Sequence, residues 1–353
     1  MNSNSNFRDG AAAPGKKSIF IRIAKYLALA AGAAALLAAV FAVWIYVEVF
    51  SGPGIMEISE FHPFKSENAK KEYLSFEDEM EKCWPLNSEK RYVQTSYGTT
   101  FIRISGPADA PPLVLLPGGG SNSLIWFANI KSLSEEYRTY ALDNIYDFGR
   151  SVYMRKFESG DDLSGWLDEL FDSLRLGNDL RIIGYSYGGW VVSQYALRHQ
   201  ERLSRAVLVA PASTVMPISG EMIIDMISTL IPVRYFKEKT MNRVAKDLVV
   251  MGGDKKKKIV DDRVDFLEMA YKCFKFKSLP NPTVLTDSEL KSLKVPVFYL
   301  VGSNETVCNP DSAIKRLNKA APLIQTELVT GTGHDLLFTH TEIVNGMILK
   351  FLK

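Results

Sequence analysis

The chain has 353 residues, of which 46% are hydrophobic and 23% charged, and its formal net charge is +2. Both fractions are ordinary for a globular protein, and the length suits one large α/β domain with an insertion or two small domains. The near-neutral charge argues against the strongly basic face of a nucleic-acid-binding protein. The three cysteines form no Cys-x-x-Cys pair, so the sequence predicts neither a zinc site nor a disulfide framework.

The first predicted element is a membrane-spanning helix at residues 26–47. This run contains no charged residue, and about 20 apolar residues are enough to span the hydrocarbon core. Residues 1–25 contain five basic residues and one acidic residue, whereas the charges after the run begin with Glu48. The positive-inside rule therefore predicts a basic cytoplasmic N-terminus, a single-pass signal anchor in the cell membrane, and a remainder of the chain outside the cytoplasm.

A cleaved signal peptide is the alternative interpretation of this run. Its apolar region would have about 7–15 residues and would end at a small-x-small cleavage site. The run at 26–47 is longer, and Val47-Glu48-Val49-Phe50 offers no such site. The sequence therefore favours an anchor that is not removed.

Residues 48–91 are predicted to form a stalk or linker, with an amphipathic helix or stalk in the charge-rich stretch 65–81. From residue 92 to residue 353, short apolar strands alternate with amphipathic helices. The predicted strands are 92–96, 100–105, 113–116, 137–142, 180–184, 206–210, 295–301 and 328–329, and the main predicted helices are 161–176, 189–198 and 342–352. This alternation predicts an α/β fold with a mostly parallel, doubly wound sheet and helices on both of its faces.

The interval at about 212–293 interrupts the alternation. It is too long for a plain loop and contains amphipathic stretches at 221–230, 235–250 and 264–274. We expect a helical cap over the strand ends, where α/β sheets bind their ligands. The apolar stripe of Met222, Ile223 and Met226 is predicted to lie in the core of this cap, with the lining of an acyl pocket as the alternative.

The run Gly184-Tyr185-Ser186-Tyr187-Gly188 lies between a predicted strand and a predicted helix. Gly-x-Ser-x-Gly is a weak pattern by itself, but in this setting it indicates a sharp turn with the serine at its apex. Only glycine relieves the crowding of such a turn, which accounts for Gly184 and Gly188. Ser186 is therefore the candidate nucleophile.

A serine hydroxyl needs a base, usually a histidine, to remove its proton. The chain has four histidines. His62 lies in the predicted stalk, His199 ends the helix after Ser186, and His340 lies beside the last helix. His334 follows a strand in a glycine-flanked loop, where a base can meet a serine at a strand end, so His334 is the candidate base.

The carboxylate that orients the base should lie between the serine and the histidine in the sequence. Glu305 follows the strand at 295–301 directly and is the favoured candidate. Asp311, six residues further on, is the rival. Asp335 is disfavoured because it follows His334 directly, and neighbours in sequence rarely point at each other.

A glycine-rich loop, Gly118-Gly119-Gly120, follows the first wholly apolar strand. Three glycines let the backbone turn its N–H groups inward, as an oxyanion hole requires. The second donor would be the N–H of Tyr187, which follows the candidate nucleophile. A plain glycine turn is the alternative, and a phosphate-binding loop is disfavoured because no Lys-Ser or Lys-Thr pair follows.

From residue 92 onward, the chain resembles the α/β-hydrolase fold superfamily in its capped, esterase-like branch. Six pieces match in the right order: Leu115-Leu116-Pro117-Gly118-Gly119, Tyr140-Ala141-Leu142-Asp143 with Phe148-Gly149-Arg150-Ser151, Gly184-Tyr185-Ser186-Tyr187-Gly188-Gly189, Leu208-Val209-Ala210-Pro211-Ala212, Leu300-Val301-Gly302-Ser303-Asn304-Glu305 and Gly331-Thr332-Gly333-His334. The resemblance implies Ser186 as nucleophile, His334 as base, Glu305 as acid, and Gly119 and Tyr187 as the oxyanion donors.

The chain departs from the family pattern at three places. Pro117 stands where the family usually has a histidine, which bears on the shape of the oxyanion loop. Glu305 stands where aspartate is commoner, and glutamate can keep the same role. The segment 143–149 carries one extra residue at the expected rim of the pocket.

These features predict a membrane-anchored serine hydrolase that cleaves carboxylic esters, with a small-molecule or lipid-like acyl substrate and without a metal or cofactor. Other acyl enzymes (a peptidase, amidase, thioesterase or acyltransferase) remain the first alternative. A catalytically silent binding protein is the second, and the presence of all three triad residues argues against it. A haloalkane dehalogenase would need aspartate at Ser186.

Overall fold

The computed structural model of the protein describes residues 25–27, 32, 63–251, 253–275 and 277–353. The predicted cytoplasmic segment and membrane helix lie almost entirely outside the described residues, as does His62. Within the described ranges, no helix is both long enough and apolar enough to cross a membrane. The chain divides into two units, Met1–Met56 and Glu57–Lys353, and all the elements below belong to the second.

The described part of the second unit contains one sheet of nine strands. The strands are β1 Glu89–Thr95, β2 Gly98–Ser105, β3 Pro112–Leu116, β4 Arg138–Leu142, β5 Val152–Tyr153, β6 Leu180–Tyr185, β7 Leu203–Val209, β8 Val297–Gly302 and β9 Gln325–Val329. Their order is β1-β2-β4-β3-β6-β7-β8-β9, with β5 beside β2. The pairs that involve β2 are antiparallel, and the others are parallel. The prediction of a mostly parallel sheet is confirmed.

Eleven α-helices accompany this sheet in the described ranges. They are α1 Glu67–Met80, α2 Ile130–Glu136, α3 Gly160–Ser173, α4 Tyr187–Arg198, α5 Gly220–Ser228, α6 Arg234–Val244, α7 Gly253–Cys273, α8 Asp287–Ser292, α9 Pro310–Ala320, α10 Leu336–Thr339 and α11 Thr341–Leu352. Short 3₁₀ turns lie at Glu81–Cys83, Ser123–Trp126, Gln200–Arg202 and Lys246–Met251.

The central strands are apolar because helices cover the sheet. Leu113 and Leu115 of β3 are fully buried and belong to one core cluster with residues of α2 and α11. Successive side chains of a strand point to opposite faces, and Val114 between them is also fully buried. Helix α4 contacts β3, β6 and β7. Strands β6, β7, β8 and β9 pair in parallel, so their carboxyl ends lie at one edge of the sheet.

Helix α1 agrees with the amphipathic helix that was one of the two predictions for residues 65–81, but it packs on the domain instead of forming part of a stalk or linker. Ser66 caps its first turn, accepting a hydrogen bond from Ala69 N at 3.1 Å, and Tyr73 and Glu77 are fully buried. The Glu77 carboxylate pairs with Arg103 on β2 at 2.8 Å. Most of the other charged residues of this helix are exposed, and because Tyr73 and Glu77 are buried against the rest of the fold, α1 is part of the domain.

Helices α5 to α8 form the cap within the interval predicted for it. The apolar stripe expected in the core of the cap is divided between two environments. Met222 is buried, whereas Ile223 and Met226 are about half exposed, at 45% and 51%. The prediction was wrong for Ile223 and Met226, because Met222 and Asp225 are the residues of this helix that face inward.

Candidate active site

Ser186 lies at the sharp turn between β6 and α4, with φ 53° and ψ −116°. This backbone conformation is strained for a residue with a side chain, and such strain concentrates at functional sites. The flanking glycines are required by space. A Cβ atom on Gly184 would lie 2.2 Å from Gly188 O, and one on Gly188 would lie 2.4 Å from Pro117 O. The turn therefore holds Ser186 at its apex, as the sequence predicted.

The structure brings Ser186, His334 and Glu305 together in one hydrogen-bonded chain. His334 Nε2 lies 3.0 Å from Ser186 Oγ, and His334 Nδ1 lies 2.9 Å from Glu305 Oε2. Glu305 follows β8 and His334 follows β9, so both reach the strand edge that carries Ser186. The arrangement allows His334 to accept the serine proton while Glu305 fixes the orientation of the imidazole.

Both oxygens of the Glu305 carboxylate have fixed partners. Oε1 accepts hydrogen bonds from Thr306 N at 2.8 Å and Val307 N at 2.7 Å, and Oε2 faces His334. The side chains of Glu305 and His334 are only 1% and 6% exposed. The carboxylate is thus held in one orientation in a site largely shielded from solvent.

The rival residues have other positions in the fold. Asp311 lies in the first turn of α9 and is exposed. Asp335 accepts a hydrogen bond from Leu248 N at 2.9 Å, and burial raises its pKa. His199 lies at the far end of α4, 3.4 Å from Asp168, and His340 precedes α11.

Replacement of Glu305 by glutamine is expected to lower kcat for ester hydrolysis by about 10³- to 10⁴-fold. The amide keeps the shape of the side chain but removes the charge that stabilises a protonated His334. The matched control is Asp311→Asn, which changes the rival acid in an exposed turn and should leave kcat unchanged. Equal losses in the two variants, measured with p-nitrophenyl butyrate, would contradict the choice of Glu305.

The glycine-rich loop lies directly beside the nucleophile. A Cβ atom on Gly118 would lie 3.3 Å from Ser186 Cβ, and one on Gly119 would lie 3.4 Å from Tyr187 Cβ. The N–H of Gly120 is already used, since it donates to Asp147 Oδ2 at 2.8 Å. The N–H groups of Gly119 and Tyr187 have no hydrogen-bond partner among the described residues, so both are free to bind a developing oxyanion.

Sequence reasoning missed the residues behind this loop. Asp147, in the segment with the extra residue, accepts hydrogen bonds from Gly120 N and Phe148 N, both at 2.8 Å. From the cap, Arg263 Nη2 donates to Gly120 O at 3.3 Å. Burial raises the pKa of Asp147 to about 6. The extra residue was the only sequence signal that pointed to this support of the loop.

Lys277 is an unusual buried cation near Asp147. Its Nζ atom is buried and has no hydrogen-bond acceptor among the described residues. It lies over the rings of Tyr153 and Tyr146, at 4.3 Å and 5.1 Å from their centroids, which offers a cation–π contact. Burial lowers the pKa of Lys277 to about 7, and attraction to Asp147 opposes this as the smaller effect.

Replacement of Lys277 by methionine is expected to raise the free energy of unfolding by about 1–3 kcal/mol at pH 6.5, because the variant no longer buries an ammonium group that has no hydrogen-bond acceptor among the described residues. Because the pKa of Lys277 is lower in the folded state, the unfolded chain binds its proton more readily between pH 7 and about 10.4. The wild type therefore gains stability as the pH rises through this window, and below it the cost of the buried charge is complete. The advantage of the variant should shrink between pH 6.5 and pH 9.5 in urea denaturation, and an advantage that grows instead would contradict the assignment.

The described residues contain no group of three or more His, Cys, Asp or Glu side chains that could hold a metal ion. The three cysteines are free, with Cys83 exposed and Cys273 and Cys308 buried.

Comparison with known proteins gives consistent results. A family model described as the alpha/beta hydrolase fold matches residues 111–227. The chain is 34% identical over 288 residues to carboxylesterase YbfK of Bacillus subtilis (strain 168), covering 78% of this chain and 91% of that protein. It is 30% identical over 302 residues to another protein of the same strain, named uncharacterized carboxylesterase nap, covering 82% of this chain and 94% of that protein.

A solved structure agrees with these sequence relatives. The crystal structure of naproxen esterase (carboxylesterase NP) from Bacillus subtilis superposes with a TM-score of 0.74 at 29% sequence identity. The match covers 84% of this chain and all of that chain. The similarity therefore extends well beyond the residues that the family model matches.

Proposed function

We propose that this chain, which belongs to the α/β-hydrolase fold family and is a carboxylesterase-like hydrolase, cleaves carboxylic esters. The proposed catalytic residues are Ser186, His334 and Glu305. The observation that carries the proposal is the hydrogen-bonded chain from Ser186 Oγ through both ring nitrogens of His334 to Glu305. The names of the relatives support ester bonds as the substrate class over amides and thioesters.

The proposed reaction has two halves. In the first, Ser186 Oγ attacks the ester carbonyl carbon while His334 Nε2 takes the serine proton. The resulting oxyanion receives hydrogen bonds from the N–H groups of Gly119 and Tyr187, and its collapse expels the alcohol, which takes the proton from His334. In the second half, water attacks the carbonyl carbon of the acyl-enzyme while His334 takes a proton from the water; the bond to Ser186 Oγ then breaks, Ser186 takes that proton from His334, and the carboxylic acid leaves.

A fluorophosphonate probe tests the nucleophile directly. Such a probe reacts with an activated serine, so we expect one labelled peptide, containing Ser186, and loss of esterase activity in proportion to labelling. A panel of an ester, an amide and a thioester with the same acyl group then tests the substrate class. Labelling of a different serine, or faster cleavage of the amide, would redirect the proposal.

The N-terminal segment supports a second part of the proposal, that the enzyme is anchored in the cell membrane with its hydrolase domain outside the cytoplasm. The support is the charge-free run at 26–47 with its basic N-terminal flank. Alkaline carbonate should leave the full chain in the membrane fraction, and external protease should digest the domain on spheroplasts. Release by carbonate would contradict the anchor, and full protection would contradict the orientation.

A further inference from the structure

The cap helix α5 presents its apolar residues to the outside. Four of its nine residues are large, apolar and exposed: Ile223 at 45%, Ile224 at 67%, Met226 at 51% and Ile227 at 48%. These four residues are called the α5 apolar face below. A helix on a water-facing surface normally shows the opposite arrangement, with its polar side outward. The surroundings that suit this face are therefore apolar.

The inward side of α5 holds a charged residue, and this fixes the helix in its orientation. Asp225 is buried and pairs with Lys239 Nζ at 3.0 Å and Arg243 Nε at 2.5 Å, both from α6. Its backbone oxygen also accepts a hydrogen bond from Thr240 Oγ1 at 3.0 Å. Rolling α5 to hide its isoleucines would expel Asp225 and break these pairs, so the apolar side stays outward.

The chain from the N-terminal segment enters the second unit close to this helix. Pro63 O accepts a hydrogen bond from Lys275 N at 3.0 Å, and Lys65 N donates to Cys273 O at 2.9 Å, at the end of cap helix α7. Two residues earlier in α7, Tyr271 Oη lies 2.9 Å from the hydroxyl of Thr229, at the C-terminal end of α5. The point of entry and the α5 apolar face thus belong to the same part of the cap.

The length of chain before this entry point limits how far it can lie from an anchored segment. The residues between the run 26–47 and Pro63 are 48–62, which span at most about 55 Å when fully extended. An anchored enzyme would therefore hold its cap within reach of the bilayer at all times. The lipid bilayer is therefore an apolar surface that residues 48–62 would always keep within reach of the cap.

We infer that the α5 apolar face docks on the lipid bilayer and seats the cap of the enzyme on the membrane. The inference rests on the proposed membrane anchor. Helices that lie in a membrane interface bury their apolar side about 5–10 Å into the boundary of headgroups and acyl chains. The cap also adjoins the active-site loop, since Leu279 lies 3.6 Å from the Cβ position of Gly119. Docking would therefore hold the cap, and the active-site loop beside it, close to esters dissolved in the membrane.

A spin label on α5 tests the inference with the full chain in phosphatidylcholine–phosphatidylglycerol vesicles. Exposed Cys83 is first replaced by serine, and Ile224→Cys then carries the nitroxide. The control is Leu323→Cys. Leu323 is apolar and 81% exposed, and it lies just before the N-terminal end of β9, whereas the cap adjoins the carboxyl ends of the strands. Collision rates with oxygen and with a water-soluble nickel chelate report the depth of each label.

The expected result is a label at position 224 that oxygen reaches more readily and nickel less readily than the label at position 323. Nickel access equal to that at position 323 would overturn the docking, as would magnetic coupling between labels, which would indicate a second copy of the chain on this face. A label that neither reagent reaches would indicate contact with protein and would also overturn it. Failure of the chain to sediment with the vesicles would remove the anchor itself, an outcome distinct from the others.

An activity measurement gives a second readout. The double variant Ile224→Glu, Ile227→Glu should hydrolyse a long-chain ester embedded in vesicles about tenfold more slowly, because two charges oppose the docking. Hydrolysis of p-nitrophenyl acetate in detergent solution should stay at the wild-type rate. Equal losses on both substrates would overturn the inference, since they would indicate damage to the cap.

Discussion

Replacement of Ser186 by alanine is expected to lower kcat for p-nitrophenyl butyrate by about 10⁴-fold or more, with no loss of folded protein. The variant lacks the oxygen that lies 3.0 Å from His334 Nε2, so no acyl-enzyme can form. Replacement of His334 by alanine should have an effect of similar size. The double variant should be no slower than either single variant, because the two side chains act as one unit.

A neighbouring serine provides the matched control. Ser193 is buried in α4, and its hydroxyl donates to Trp190 O at 2.7 Å. Ser193→Ala should therefore keep wild-type kcat and react with the fluorophosphonate probe at the wild-type rate, with the label on Ser186. Retention of esterase activity in Ser186→Ala would show that the nucleophile lies elsewhere, and the proposed mechanism would fail with it.

Replacement of Glu77 by alanine is expected to lower the free energy of unfolding by about 3–5 kcal/mol. Glu77 and Arg103 are both fully buried and lie 2.8 Å apart, and Arg150 Nε lies 3.0 Å from the same carboxylate oxygen. Removing the carboxylate leaves two arginines without this partner in a site with little water. The loss would be measured by urea denaturation of the full chain in a mild detergent.

Two further variants test whether the loss comes from breaking the buried pair or only from removing a negative charge from α1. Glu79 lies on the same helix and forms an exposed ion pair with Lys82. Glu79→Ala should therefore lower the free energy of unfolding by at most about 1 kcal/mol. Glu77→Leu combined with Arg103→Met should recover much of the stability, because an apolar pair of similar size avoids burying charge. If Glu79→Ala and Glu77→Ala cost the same, the buried pair does not hold α1 to the domain.

Much of the site could be predicted because it depends on local patterns. The sequence Gly184 to Gly188 fixes a strand, a turn and a helix within a few residues, and the steric need for glycine is the same in every fold. Glu305 and His334 could be chosen because each follows an apolar strand. The carboxyl ends of parallel strands meet at one edge, so residues far apart in sequence become neighbours there.

The support around the site could not be predicted, because it depends on contacts between distant segments. Nothing local to Asp147 shows that its carboxylate accepts the N–H of Gly120. The stretch around Glu77 contains many charges, and its composition does not show that one of them is buried against Arg103. The orientation of α5 is a similar case. A helix with both apolar and charged residues can turn either side toward the protein interior, and the sequence does not show which side that is.

The sequence by itself determined eight of the nine described strands, the turn at Ser186 and the identity of the candidate base and acid, whereas strand β5 and helices α2 and α9 were not predicted. Hydrophobic periodicity and glycine sterics act over a few residues, so they can be read without coordinates. Only the tertiary structure decided that α1 belongs to the domain, that Asp147 and Arg263 hold the glycine loop, and that α5 turns its isoleucines outward. These outcomes depend on which buried charges find partners, and a partner exists only once the chain has brought distant residues together.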